Sequence, residues 1–175
     1  MDEKALVEAA QNGDERAFSS LVAACRHRAW NVCLRICCNH HDAEDALQSA
    51  LALAWKNLHK FNGKSSFGTW FYRIATNASL QLIRTRKHTI SIDEDSFGNE
   101  VELEDFHAEF TESLENQDYL ARALETLNIE AREALVLWAV ADMKISDIAL
   151  HQGSSLSATK VRLHRAKKAL REILS

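Results

Sequence analysis

Not one of the 175 residues in this chain is proline, and only five are glycine. Proline breaks a helix because it cannot donate to the preceding turn, and glycine weakens one through the conformational freedom it gives up. A chain almost free of both, and rich in Ala, Leu, Glu, Lys and Arg, favours long uninterrupted helices over short strands joined by tight turns. The predicted fold class is all-α. With 46% apolar and 26% charged residues there is enough hydrophobic material for a core, which argues against disorder throughout.

No stretch approaches the roughly 18 consecutive apolar residues of a membrane span. The opening segment MDEKALVEAAQNGDERAF carries early acidic residues and no apolar run of signal-peptide length. A cytoplasmic location without membrane insertion is expected. Cys25, Cys33, Cys37 and Cys38 crowd into one helical pattern rather than spreading as a disulfide framework, so reduced thiols are expected.

Net charge is −4, but its distribution says more than its sum. Residues 88–118 hold eleven carboxylates and no Lys or Arg, leaving 21 basic against 14 acidic side chains in the rest of the chain. Two basic bodies, 1–87 and 119–175, therefore flank an acidic segment, 88–118, whose apolar residues keep no helical period and which reads as an extended linker.

In the first body Leu6, Ala9 and Ala10 open one helix, and Phe18, Leu21, Val22, Cys25, Trp30, Cys33, Leu34 and Cys37 mark a second. The cluster 39–42 interrupts, with Asp42 predicted to cap a helix through Ala46, Leu47, Ala50, Leu53 and Ala54. After a polar loop at 62–66, a last helix is expected from about Thr69 to Arg86, turning Trp70, Ile74, Ala75, Ala78 and Leu82 to the core. In the second body Leu120, Leu124 and Leu127 precede Ala134, Leu135, Leu137, Trp138 and Val140. Ser146 is then predicted to cap a short helix, Gly153 to permit a turn, and Ser155 to cap a helix from Leu156 to about Leu174. This is helix-turn-helix spacing. Thr159, Leu163, Ala166 and Leu170 form the apolar stripe of the final helix, with Lys160, His164, Lys167 and Arg171 on an adjoining face. Residues 157–171 include six Lys or Arg and no carboxylate, a pattern that suits a phosphate-lined groove.

Three blocks in this order resemble extracytoplasmic-function sigma factors over nearly the whole chain: Asp42-Ala43-Glu44-Asp45-Ala46-Leu47-Gln48, the segment Phe61 through Arg84, and Ile145 to Ala166. The resemblance implies two small helical domains joined by the acidic linker, the second a four-helix domain containing the helix-turn-helix. It also implies a non-enzymatic subunit that binds core RNA polymerase through the β′ clamp helices and β flap and directs it to promoter DNA. By the same resemblance Asp42, Glu44, Asp45 and Gln48 would contact polymerase. Phe61, Lys64, Ser65, Ser66, Trp70, Arg73, Asn77, Arg84 and Arg86 would handle the −10 element, with the loop capturing an exposed base and Asn77 offering both donor and acceptor to a base edge. Trp70 also fits a core position at its spacing with Ile74 and Ala78.

Ser157, Ala158, Lys160, Val161, Arg162, His164 and Arg165 would meet the −35 element. Lys160, Arg162, Leu163, Arg165 and Ala166 match the family pattern, whereas Ser157, Ala158, Thr159 and Val161 depart from it. Gln81 stands where relatives carry Asp. The linker has two open readings, a solubilising tether or a strap through the polymerase's RNA-exit path. A separate anti-sigma factor is implied as regulator.

No cofactor is expected. Cys33, Cys37 and His41 fall at helical spacing, but a buried apolar role fits the cysteines better than a metal site. The alternative function is a stand-alone helix-turn-helix regulator whose residues 1–87 sense a ligand or dimerise. That reading leaves the acidic helix and the segment 61–84 without a role.

Overall fold

The computed structural model describes residues 2–86 and 117–174, and among these there is no strand. Two separate units divide between Ile83 and Arg84. The acidic linker expected over 88–118 lies outside the described residues, except that its last two positions already belong to a helix. No helix among the described residues is long and apolar enough to cross a membrane.

The first unit contains α1 (Glu3–Gln11), α2 (Glu15–Cys37), α3 (His40–Asn57), a 3-10 turn (Leu58–Lys60) and α4 (Phe67–Arg86). Short polar side chains start the helices by accepting otherwise orphaned N–H groups. Asp2 accepts from Ala5 N at 2.8 Å, and Asp14 accepts from Arg16 N and Ala17 N at 3.0 and 3.2 Å. α2 ends at Cys38, which adopts the left-handed conformation (φ 63°) while its N–H closes on the Leu34 carbonyl at 2.8 Å.

Asn39, not Asp42, caps α3. The Asn39 side chain accepts from Asp42 N at 2.8 Å, and the Asp42 carboxylate accepts from Asn39 Nδ2 at 2.8 Å, a reciprocal pair that starts the helix earlier than predicted. α4 also starts early, because Ser66 Oγ accepts from Thr69 N at 3.1 Å and places Phe67 inside the helix.

Phe67 is the pin of this unit. It is 2% exposed and touches Phe18, Phe61, Trp70 and Phe71, with ring centroids between 5.7 and 6.3 Å. Edge-on and offset contacts of this kind add to the area each ring removes from water. The core face of α4 is Phe67, Phe71, Tyr72, Ala75, Thr76, Ala78, Ser79, Leu80 and Ile83, whereas Trp70, Ile74 and Leu82 are half-buried. The predicted face was therefore rotated from the real one.

The second unit comprises α5 (Gln117–Glu125), α6 (Ile129–Ala139), α7 (Ile145–Gln152) and α8 (Leu156–Leu174). Leu120, Leu124, Leu135, Leu137, Ile148, Leu163 and Leu170 form its core. Trp138 and Val140, expected there, are half-buried. Arg132 lies almost wholly inside and donates from Nε to the Leu124 carbonyl at 2.9 Å, satisfying the end of α5 with a cation, as the helix dipole favours. Lys144 rather than Ser146 precedes α7, since its carbonyl already accepts from Asp147 N and Ile148 N at 3.0 Å. Gly153 (φ 65°) makes the left-handed turn, and Ser155 starts α8 by accepting from Ala158 N at 3.1 Å, as the sequence suggested.

Candidate functional site

The described residues bear three polar surfaces, each built on the fold of one helix or loop. On α3 the buried side is Ala43, Ala46, Leu47, Ala50 and Ala54. Glu44 and Gln48 are exposed and Asp45 half-exposed; successive residues rotate by about 100°, so the three share the opposite side. Asp45 Oδ2 lies 3.7 Å from His41 Nε2, a solvated contact that contributes little to stability. Asp42 is different. It is 6% exposed and occupied with the Asn39 cap, so the acidic block divides into one structural and two outward carboxylates.

The loop between the 3-10 turn and α4 has a buried entry and an exposed tip. Phe61 is buried against Trp70 (5.2 Å) and Phe67 (6.2 Å), which makes it an anchor rather than a surface group. Gly63 takes a positive φ of 77°, Lys64 N donates to Asn62 Oδ1 at 3.0 Å, and the Lys64 side chain is exposed. Ser66 caps α4 and its hydroxyl also meets Thr69 Oγ1 at 3.0 Å, while Ser65 Oγ donates to the Ser66 carbonyl at 3.1 Å.

Beyond the loop, Trp70, Arg73, Asn77, Gln81 and Arg84 recur at three- and four-residue intervals and line one side of α4. Asn77 and Arg84 are exposed and Arg73 is half-exposed. Arg86 falls nine residues from Asn77, about 180° round the helix, and does not join that side.

In the helix-turn-helix, Thr159, Leu163, Ala166 and Leu170 are buried as predicted. Ser157, Ala158, Lys160 and Val161 are exposed, and His164 and Arg165 half-exposed. Arg162 turns back instead: its Nη1 donates to Gln152 Oε1 and lies 3.5 Å from Ser154 Oγ, so it ties α8 to α7 and the turn. Lys167 is also internal, 1% exposed, with Nζ 5.3 Å from the centre of the Trp138 ring. Burial, and after it the charge of Arg171, pulls the Lys167 pKa from 10.5 down to about 8. The basic face is consequently narrower than the six charges suggested. Behind it, His151 Nε2 and Glu133 Oε1 form a nearly buried pair at 3.0 Å that joins α7 to α6.

Sequence reasoning passed over Leu156, exposed at the first turn of α8, and Lys168, seven residues after Val161 on the same side. Helical periodicity alone would have found Lys168.

This arrangement has counterparts among known proteins. The family model of Sigma-70 region 2 matches residues 21–89, and that of Sigma-70 region 4 matches residues 117–170. The chain is 28% identical to the ECF RNA polymerase sigma factor SigW of Bacillus subtilis, over 98% of this chain and 96% of that one. The chain belongs to the extracytoplasmic-function sigma factors.

This sigma factor is also 28% identical to the ECF RNA polymerase sigma-E factor of Escherichia coli K12, over 97% of this chain and 93% of that one. Its fold is shared by CnrH in complex with the cytosolic domain of CnrY, at a TM-score of 0.73 and 24% identity over 98% of this chain and 96% of that one. The sigma factor RpoE of Bartonella quintana, solved with the anti-sigma factor NepR, follows at a TM-score of 0.66 and 23% identity, over 90% and 96% of the two chains. As a sigma factor the protein binds RNA polymerase and promoter DNA in transcription initiation.

Of the four cysteines of this sigma factor, all in the first unit, Cys25, Cys33 and Cys37 are buried and Cys38 is half-buried. Burial pushes the Cys25 and Cys33 thiols up to about 11 and Cys37 to about 12. Among the described residues no three His, Cys, Asp or Glu side chains are grouped to hold an ion.

Proposed function

We propose that this sigma factor, acting in the cytoplasm and without chemistry of its own, brings polymerase to promoters through two readers that fold separately. Residues 1–87 take the −10 element and the polymerase clamp, residues 119–175 take the −35 element and the β flap, and the acidic residues 88–118 link them. In the first reader Lys64, Ser65 and Ser66 at the loop tip capture an unstacked base, and Trp70, Arg73, Asn77 and Arg84 follow the strand along α4. Asn77 contacts a base edge and the arginines contact phosphates. Phe61 holds the loop from beneath. Glu44, Asp45 and Gln48 contact the β′ clamp helices, where opposite charge hastens encounter and fixes register.

In the second reader α8 enters the major groove. Ser157, Ala158 and Val161 face base edges, and Lys160, His164, Arg165 and Lys168 meet phosphates or neighbouring bases. Arg162 braces the motif. The observation that carries the reading is the row of Trp70, Arg73, Asn77, Gln81 and Arg84 leading away from the capped loop tip, half-exposed at Trp70 and Arg73 and exposed from Asn77 onward. A polar row of this kind, with two arginines around an exposed Asn, suits a nucleic-acid strand better than a protein core.

CnrH is solved with the cytosolic domain of CnrY, and RpoE with the anti-sigma factor NepR. By analogy a separate anti-sigma factor covers these faces and competes with core polymerase. The test is reconstituted transcription: purified chain, sigma-free core polymerase and a library of genomic promoter fragments. Transcripts that start downstream of a shared two-part motif, and depend on the chain, are expected. DNA binding without initiation would point instead to a stand-alone helix-turn-helix regulator.

A further inference from the structure

We infer that α1 sets the position of the −10 loop, and that Glu3 and Gln11 are the positioning residues through which it does so. The inference rests on the reading of residues 61–66 as that loop. Gln11 Nε2 donates to the Leu58 carbonyl at 3.0 Å and to the Phe61 carbonyl at 2.9 Å, reaching 47 and 50 residues along the chain. Glu3 Oε1 accepts from the backbone N–H of Phe67, 64 residues away. The loop is thus gripped at both ends by one helix.

The geometry explains why these two positions serve. Glu3 and Gln11 are eight residues apart on α1, about 12 Å along its axis, so a single rigid rod spans the loop from entry to exit. At the entry, the Leu58 carbonyl already accepts from Phe61 N at 3.0 Å and takes the carboxamide as a second donor, while the Phe61 carbonyl lies just past the 3-10 turn, and the carboxamide offers one N–H to each. At the exit, a carboxylate on the first N–H of α4 meets the positive end of that helix. Between these fixed ends the chain turns through Gly63 at φ 77° and exposes Lys64. The tip has few bonds of its own beyond the Asn62 and Ser66 contacts, so its placement relative to Asn77 follows from where its ends are held. α1 lies before the matched region 2 segment, which begins at residue 21.

The test uses the full chain assembled with core polymerase and the promoter recovered by reconstituted transcription. Anisotropy measures binding of the holoenzyme to an oligonucleotide carrying the −10 element single-stranded, to each one-base replacement of it, and to duplexes altered in the −35 element. Gln11→Met keeps the side chain's length and packing but removes both N–H groups. It should lower discrimination among −10 bases by about 10-fold, the scale of one lost base contact, and leave −35 discrimination, core affinity and thermal midpoint near wild type. Glu3→Ala should act alike, and Glu3→Gln, which keeps an acceptor for Phe67 N–H, should restore discrimination. If wild type discriminates and Gln11→Met and Glu3→Ala discriminate equally well, the inference falls alone. If discrimination at both elements drops together with the thermal midpoint, α1 merely supports the unit and the inference is overturned. Equal binding of every −10 oligonucleotide by wild type would overturn the loop reading itself, and the inference with it.

Discussion

Replacing Lys167 with methionine should make the second unit more stable at neutral pH. The lysine is 1% exposed, its Nζ has no hydrogen-bond partner among the described residues, and its pKa is drawn down from 10.5 to about 8. Each pH unit between native and unfolded pKa is worth about 1.4 kcal/mol, so this gap sets a ceiling of about 3 kcal/mol on the cost of the buried charge. The attraction of the ammonium to the Trp138 face returns about 1 kcal/mol, and solvent screening at the edge of so small a unit reduces the cost further. Methionine matches the stem in length and packs without a charge. The expected gain for Lys167→Met is about 1–2 kcal/mol at pH 7.

Its pH dependence has a definite sign. Below about pH 8 both native and unfolded lysines carry the proton, and the full penalty stands. Between about 8 and 10.5 the native lysine loses its proton before the unfolded one does, wild-type stability rises, and the methionine's advantage shrinks. Urea titrations of protein labelled with 5-fluorotryptophan follow the unit through the fluorine resonance of Trp138, the one tryptophan within residues 119–175. A methionine variant less stable than wild type at pH 7, or an advantage unchanged between pH 7 and 10.5, would refute the reasoning.

Phe61→Ala should destabilise the first unit by about 3 kcal/mol, read as a lower thermal midpoint by circular dichroism, whereas Lys64→Ala should weaken promoter binding without moving that midpoint. If Val161 packs against a thymine in the −35 element, deoxyuridine in its place should weaken binding by several-fold through loss of the methyl contact, and Val161→Ala should abolish the difference. In native protein at pH 8, iodoacetamide should label Cys38 ahead of Cys25, Cys33 and Cys37, as peptide mass spectrometry would show. Because burial raises those three thiols above the ordinary 9, the first unit should lose stability as pH rises from about 9 to 11, where the unfolded chain ionises first.

Element identity was legible in the sequence because composition and periodicity agreed along most of the chain. The last helix shows this best: its apolar stripe, Ser155 start and Gly153 turn all follow from local rules. α4 was harder, since it is buried round more than half its circumference, and a helix with so wide an apolar face does not reveal its phase by spacing. The Trp70, Ile74 and Leu82 side was therefore over-weighted relative to Phe67 and Phe71. Charge was the other source of error. Arg162 and Lys167 look like surface residues by type, yet each is turned inward by a partner that tertiary structure supplies, the Gln152 side chain and the Trp138 ring, while Asp42 is held by its local cap partner Asn39. Glu3 and Gln11 left no local signal at all, because their contacts span 47 to 64 residues.

The division of labour within α8 bears on how such a protein could acquire new targets. Arg162 and Thr159 are committed to the turn, Thr159 through its hydroxyl contacts with Ser154 Oγ (2.8 Å) and the Ser155 carbonyl (2.9 Å). Ser157, Ala158 and Val161 have no such duties and stand in solvent. Mutations at the first pair would be purged for misfolding whatever the DNA sequence offered, while the exposed trio can drift at little cost to the scaffold. A gene duplicate could thus diverge from its parent through two or three substitutions, and a designer seeking an orthogonal switch could randomise the same trio and leave the rest of the motif untouched.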